Sequence, residues 1–226
     1  LPPAALTART GESISITNVP VNITVPAGVT NASLQVTTAA EGLNLVATLP
    51  NVAVTATTAL GNVNIAIASG TKIKAPSSWD GKIKLPEVQS NSSVFISGAT
   101  VNAVIEVGSP DVSLTFDRAV RLLIPNQGDK SAGFMRNGVF VPITNTISAD
   151  TQAAADSEIS AGGEAAIKVG ADLMIWTKHF TLFASYTPVV TNGGSSIPVN
   201  TGTISAVSGG TITLNGVKID LPAGAG

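Results

Sequence analysis

Cysteine is absent from this chain of 226 residues. The sequence therefore predicts no disulfide, no thiol nucleophile and no thiolate metal site. Charged residues are scarce, at 12%, and the formal net charge is −2. Such a chain lacks the basic surface that binds nucleic acid or an anionic membrane, so neither partner is expected. No apolar run reaches the length of a membrane span, and we expect no membrane insertion.

Aromatic residues make up only 4% of the chain, and there is a single histidine. A glycan-binding platform of several rings is therefore not expected. One histidine and no loop rich in carboxylates predict no metal site, and the sequence indicates no cofactor. No pair of acidic residues can be recognised as a glycosidase pair. A conventional turnover enzyme is the least favoured class.

Alternation of apolar and polar residues dominates what is present, as in "SISITNVPVNITVPAG" and "NVNIAIASG". This period of two, with frequent turns, predicts an all-β antiparallel sandwich over residues 1–188. Asn137-Gly138 predicts a tight hairpin, and Asp80-Gly81 predicts another. The second hairpin would expose Lys72, Lys74, Lys82 and Lys84 on its wet face. The alanine-rich stretch near 148–160 predicts a short helix or ordered loop, with Ser148 as its N-cap.

Residues 189–202, "VVTNGGSSIPVNTG", have the composition of a flexible linker. The tail over 203–226 predicts a hairpin, and "GGTITLNGVKIDLPAG" echoes "GESISITNVPVNITVPAG" near the start of the chain. Two interpretations of this echo stay open. The tail is either the beginning of a second module or a final hairpin of the same domain.

The abundance of Val, Thr, Ala, Ser, Gly and Asn, together with few charges, is typical of secreted bacterial modules. The segment "LPPAALTART" has neither the basic nor the apolar region of a signal peptide. We therefore expect a mature extracellular protein, or a piece of one.

The only histidine, His179, stands two residues before Thr181, inside the apolar stretch "DLMIWTKHFTLFASYTP". A threonine hydroxyl can attack the carbonyl of the residue before it, which here is Phe180. The peptide bond would become an ester by an N-to-O acyl shift, and water would then hydrolyse the ester. An imidazole is the suitable base for the hydroxyl proton.

Such a reaction also requires orientation of the hydroxyl and destabilisation of the amide, which backbone strain in a tight kink could supply. Polar donors near the carbonyl oxygen would lower the barrier further, but none can be named from the sequence. The competing interpretation is that His179 is a packed strand residue with satisfied ring nitrogens, in a structural or adhesive spacer that does not cleave.

The segment "HFTLFASY", from His179 to Tyr186, resembles the proteolysis site of the GAIN domains of adhesion receptors. There a His-Leu-Thr triplet is followed one residue later by Phe-Ala and an apolar strand. The triplet is also similar to the His-Phe-Ser of self-cleaving ZU-type domains and of the autoproteolytic nucleoporin. This chain departs from the receptor pattern by having Phe180 in place of Leu and by lacking the flanking cysteines, with Trp176 and Lys178 in that region.

More broadly, residues 18 to 188 resemble modules of large bacterial surface proteins that carry S-layer homology repeats. The two resemblances imply a ZU/GAIN-like sandwich on a Gram-positive cell surface. They imply single-turnover self-cleavage between Phe180 and Thr181, with His179 as the base or as the group that strains the bond, and with the two fragments remaining associated. The implied partners are the chain's own C-terminal fragment, neighbouring modules of a larger protein and cell-wall or other polysaccharide.

Trp79 lies in "APSSWDG", at a predicted turn. An exposed tryptophan there could stack on a sugar ring, which would make the chain a carbohydrate-binding module. The alternative is that Trp79 covers an edge of the core, and this alternative is preferred.

Overall fold

The computed structural model describes residues 2–109, 112–189, 210–214 and 217–221. The chain forms two units, Leu1–Pro188 and Val189–Gly226. Two sheets make up the first unit, and a two-stranded sheet belongs to the second. The all-β, sandwich-like class predicted from the alternation is confirmed.

The first sheet has ten strands. Its strands are β1 (Ala4–Thr7), β3 (Val21–Val25), β5 (Ala39–Glu41), β6 (Asn44–Thr48), β7 (Val52–Thr58), β8 (Gly61–Ile67), β9 (Lys72–Pro76), β12 (Leu114–Ile124), β15 (Glu164–Val169) and β16 (Asp172–Phe180). The order runs β1-β3-β7-β8-β12-β9-β6-β5. In addition, β16 pairs with β12, and β15 pairs with β16. One edge of β12 pairs with β16. The other pairs with β9 near its start and with β8 near its end.

The second sheet has seven strands, in the order β14-β13-β17-β11-β10-β4-β2. They are β2 (Ser13–Ser15), β4 (Ser33–Gln35), β10 (Lys82–Gln89), β11 (Ala99–Gly108), β13 (Ser131–Arg136), β14 (Val139–Pro142) and β17 (Leu182–Pro188), and a short 3₁₀ turn at Asn91–Ser93 lies between β10 and β11. Both sheets are mixed rather than purely antiparallel. The pairs β1/β3, β3/β7 and β2/β4 run parallel.

The core is filled by the inward-facing residues of strands in which buried and exposed residues alternate. In β3, for example, every second residue is buried. Each large apolar side chain removed from water contributes about 1.5–3 kcal/mol. The large side chains that are fully buried come from both sheets and include Ile23, Ile73, Leu122, Phe134 and Phe183. One continuous cluster of apolar residues therefore connects the two sheets.

The predicted hairpin at Asn137-Gly138 is confirmed, since β13 and β14 pair antiparallel around it. Asn137 has φ 52° and Gly138 has φ 76°. Two successive residues with positive φ are what the tight two-residue hairpin turn requires.

The hairpin predicted at Asp80-Gly81 is wrong. Both edges of β9 are occupied, by β6 and β12, so β9 has no free edge for β10. The chain instead crosses to the second sheet, where β10 pairs with β4 and β11. The four lysines therefore do not share one hairpin face. Lys72, Lys74 and Lys82 are exposed, whereas Lys84 is partly buried.

The helix expected near 148–160 is α1, Gln152–Glu158, and the prediction of Ser148 as its N-cap is wrong. Thr151 caps the helix because its backbone is extended and its side chain accepts from the Ala154 amide. The Ser148 amide instead donates to Glu158 Oε2, at 2.9 Å. This bond connects the segment before the helix to the last residue of the helix.

In the second unit, β18 (Gly210–Leu214) and β19 (Val217–Leu221) pair antiparallel. The similar segment near the start of the chain forms β2 and β3. These two strands lie in different sheets. The shared pattern of residues therefore does not produce the same pairing. The linker predicted over 189–202 lies, except for Val189, outside the described residues.

Candidate self-cleavage site

Thr181 is the only residue between β16 of the first sheet and β17 of the second. Phe180 ends β16 and pairs with Leu114 in the first sheet. Leu182 begins β17 and pairs with Glu106 in the second sheet. The predicted triplet His179, Phe180 and Thr181 therefore spans a one-residue crossing.

β16 is buried along nearly its whole length, which explains why its sequence is apolar without alternation. One set of its side chains, Leu173 and Ile175, joins the main core. The other set, Met174 and Trp176, packs in a second cluster under α1. His179 thus belongs to a strand covered on both faces.

The His179 ring is held by a carboxylate and by two aromatic rings. Its Nε2 lies 3.0 Å from Glu164 Oε2, and only 9% of the His179 side chain is exposed. The ring centroid is 4.8 Å from that of Phe134 and 5.8 Å from that of Phe183. A carboxylate bonded to one ring nitrogen orients an imidazole and selects the tautomer that leaves its other nitrogen free to accept a proton, which is the arrangement a general base requires.

The Thr181 hydroxyl donates to the carbonyl oxygen of Met135, at 2.6 Å. Among the hydrogen bonds of the described residues, none joins this hydroxyl to the His179 ring. The Thr181 carbonyl accepts from the Val107 amide, at 3.4 Å. The proposed base and nucleophile are two residues apart and line the same cavity, but the hydroxyl proton is given to a different acceptor.

Phe180, whose carbonyl would be attacked, is fixed against the end of β11. Its ring meets the Phe116 ring edge to face, with centroids 4.6 Å apart. A Cβ built on Gly108 would lie 2.4 Å from Phe180 Cβ, so a glycine is required for this approach. Gly108 also has φ 106°, which disfavours other residues.

The strain that the sequence analysis requires at the scissile bond is not visible as left-handed backbone. The non-glycine residues with positive φ in the described ranges are Asn31, Asn126 and Asn137, all in turns. The chain therefore makes its crossing at Thr181 without a left-handed residue.

The three site residues line one cavity of about 560 Å³. Its wall includes Lys84 and Glu106 from β10 and β11. Burial by itself would lower the pKa of Lys84, but hydrogen bonds to Glu106 and Glu87 outweigh it and raise that pKa. The cavity gives water a place beside Thr181, which is itself partly exposed.

Trp79 does not offer a ring to a sugar. It is 4% exposed, and its indole N–H donates to the Lys82 carbonyl, at 2.8 Å. The interpretation of Trp79 as an exposed glycan contact is therefore wrong, and the residue covers the core. It borders a separate cleft of about 390 Å³ whose wall includes Ser13, Ser33 and Asp80.

Across the described part of the chain, no three His, Asp or Glu side chains come close enough together to hold a metal ion. In the same residues, no helix is long and apolar enough to cross a membrane. Comparison with protein-family models, curated proteins and solved structures gives no match to this chain.

Glu164 is the site residue that the sequence analysis missed. Residues Glu164–Val169 and Asp172–Phe180 flank Gly170-Ala171 and pair as a hairpin in which Glu164 stands opposite Thr177. Thr177 and His179 point to the same face of β16, so Glu164 is the diagonal neighbour of His179. Counting outward from Gly170-Ala171 would have placed the carboxylate beside the imidazole.

Proposed function

We propose that this chain is an extracellular bacterial cell-surface module that cuts its own backbone once, between Phe180 and Thr181. The observation that supports the proposal best is the His179–Glu164 pair, with Nε2 and Oε2 3.0 Å apart. His179 stands two residues before Thr181, where the chain passes from β16 to β17.

In the first step, Thr181 Oγ1 attacks the Phe180 carbonyl carbon, and His179 takes the hydroxyl proton. The new C–O bond forms, the C–N bond to Thr181 breaks, and the imidazolium returns its proton to the leaving nitrogen. Glu164 stabilises the imidazolium between these two transfers. Water then hydrolyses the ester, leaving a carboxylate on Phe180 and a free amine and hydroxyl on Thr181.

The reaction requires one rearrangement. The Thr181 hydroxyl must exchange its bond to the Met135 carbonyl for contact with the His179 ring. The acyl shift alone is unfavourable, because an amide is more stable than an ester. Hydrolysis removes the ester and draws the reaction forward.

Association of the fragments after scission follows from the position of β17. This strand lies inside the second sheet, with β11 on one edge and β13 on the other. Phe183 and Ser185 are fully buried, and Ser185 donates to Gln127 Oε1 at 2.7 Å. Scission at Thr181 breaks none of these contacts.

The surface location and the partners rest on composition and on the resemblance to GAIN and ZU-type domains. The proposed partners are the chain's own C-terminal fragment and neighbouring modules of a larger surface protein. Cell-wall polysaccharide is the partner expected of that parent protein.

The test is the mass of the purified chain under denaturing conditions. Cleavage yields two fragments, one of which begins at Thr181. Thr181→Ala abolishes them, Thr181→Ser retains them, and Thr187→Ala serves as a control threonine on the same strand. Hydroxylamine should capture the ester and leave a hydroxamate on Phe180. A chain that stays intact in all these samples contradicts the proposal.

The second candidate function is a structural or adhesive spacer that does not cleave. It is favoured by the bond from the Thr181 hydroxyl to Met135 and by the absence of left-handed φ at residues 179–181. It predicts one intact chain under every condition above, and the same surface display after His179→Ala.

A further inference from the structure

The hairpin formed by β13 and β14 extends to the site from the edge of the second sheet. Its ladder with β17 ends at the pair Phe134 and Phe183. Beyond that pair the Met135 carbonyl receives the Thr181 hydroxyl instead of a backbone amide, at 2.6 Å. The nucleophile is therefore bonded to the first residue past the ladder.

The next residue of the hairpin contacts the other half of the site. Arg136 Nη2 lies 3.9 Å from Glu164 Oε2, the oxygen that also faces His179. The guanidinium is placed over the Phe134 ring, 4.9 Å from its centroid. The Arg136 guanidinium therefore competes with the His179 ring for the same carboxylate oxygen.

The two ends of the hairpin are held differently. Its base is anchored by Phe140, which covers Gly133 so closely that a Cβ there would lie 2.1 Å from the ring. The Phe140 ring also meets the Tyr186 ring, with centroids 5.3 Å apart. The tip at Asn137 and Gly138 is exposed, as is Val139, at 64%. In the described residues β14 pairs only with β13, so the tip can move without breaking the core.

We propose that this hairpin, residues 131–142, restrains self-cleavage, an inference that rests on the proposed function. In the closed position the Met135 carbonyl holds the hydroxyl proton away from His179, and Arg136 competes with His179 for Glu164. Movement of the tip releases both restraints together, so the cleavage rate depends on the stability of the hairpin turn.

The test compares glycine substitutions in two hairpin turns. Gly138 and Gly42 both have positive φ and open space where a Cβ would stand, and each lies in a hairpin turn. Gly138→Ala therefore strains the turn beside the site, and Gly42→Ala strains the turn between β5 and β6. Each full chain is made by cell-free translation, samples are denatured at intervals, and the fraction cut at Thr181 is measured by mass.

Gly138→Ala is expected to cleave about fivefold faster than the unmodified chain, since loss of one hydrogen bond is worth about 1 kcal/mol. Gly42→Ala should match the unmodified chain. Equal or slower cleavage in Gly138→Ala, with the unmodified chain still cutting, overturns the restraint but leaves self-cleavage standing. Intact chains in every sample overturn both.

Arg136 supplies an independent measurement. Arg136→Gln removes the charge and should accelerate cleavage, whereas Arg136→Lys keeps it and should behave as the unmodified chain. An equal rate in all three chains contradicts the electrostatic part of the restraint.

Discussion

Glu164 Oε2 lies 3.0 Å from His179 Nε2, across the hairpin that joins β15 and β16. The pair is nearly enclosed, with 13% and 9% of the two side chains exposed. Little solvent screens a contact of this kind, so the carboxylate acts on the imidazole more strongly than a surface pair would.

Removing the charge of Glu164 should slow self-cleavage without unfolding the chain. Glu164→Gln keeps the size of the side chain but no longer stabilises an imidazolium, and we expect a rate about tenfold lower. His179→Gln removes the base and should lower the rate about 10²–10⁴-fold. Both are measured as the fraction cut over time.

Glu12→Gln is the matched control, because the Glu12 carboxylate accepts only from the Arg9 amide among the described side-chain contacts, at 2.9 Å. It should cleave like the unmodified chain. Full cleavage in His179→Gln would show that the imidazole is not the base.

The sequence predicted those features that depend on local chemistry. Alternation identified strands such as β3 and β9 because they bury every second residue. Asn137-Gly138 identified its hairpin because both residues adopt positive φ easily. The pairing of β9 and β10 was wrong because strand partners are chosen by the whole sheet, and β6 and β12 already occupy both edges of β9.

The triplet 179–181 could be found in the sequence because its three residues are adjacent. The contact with Met135 could not be predicted, because Met135 contributes a backbone carbonyl that any residue type would present. Gly108 gave no signal either, since the need for glycine arises only where β11 meets Phe180. The sequence left two interpretations of Trp79, and the choice between them depends on the burial of its ring by tertiary packing.

Gly108→Ala should destabilise the domain and displace the scissile bond. The added methyl group would lie 2.4 Å from Phe180 Cβ, at a residue with φ 106°. Overpacking and backbone strain together are expected to cost about 3 kcal/mol or more in the free energy of unfolding. Denaturant unfolding measures the loss.

Gly98→Ala is the control for backbone strain alone. Gly98 has φ 69° and no atom within 4 Å of an added Cβ. Gly98→Ala should lower the free energy of unfolding by about 1 kcal/mol. Equal losses in the two variants would show that the contact with Phe180 is unimportant.

Acid should weaken the attachment of the segment before α1. Arg121 bonds to Asp150 through two nitrogens, at 2.9 and 2.6 Å, and the Trp176 indole N–H also donates to Asp150. The Arg121 hydrogen bond, outweighing burial, holds the pKa of Asp150 below its usual 3.8. A lowered folded pKa gives stability that is complete above 3.8 and is lost as the pH falls through the folded value.

Asp150→Asn removes this pH-dependent contribution and should cost about 2 kcal/mol at neutral pH. The gap in unfolding free energy between Asp150→Asn and the unmodified chain should narrow as the pH is lowered below about 4. Denaturant unfolding at several pH values checks this. A gap that is constant with pH would mean that the Asp150 carboxylate is not linked to folding.

Cleaved chains should stay together through β17 and separate when its apolar anchor is removed. Phe183 is fully buried in the core, so Phe183→Ala should cost about 3–5 kcal/mol and weaken association of the two fragments about 100-fold or more. The measurement is co-elution of the fragments of the cleaved fraction in size-exclusion chromatography under native conditions. Phe183→Leu keeps most of the buried volume, and Thr187→Ala changes an exposed residue near the end of the strand; fragments of both controls should co-elute. Dissociation of the unmodified fragments without denaturant would contradict the role of β17 as the joint.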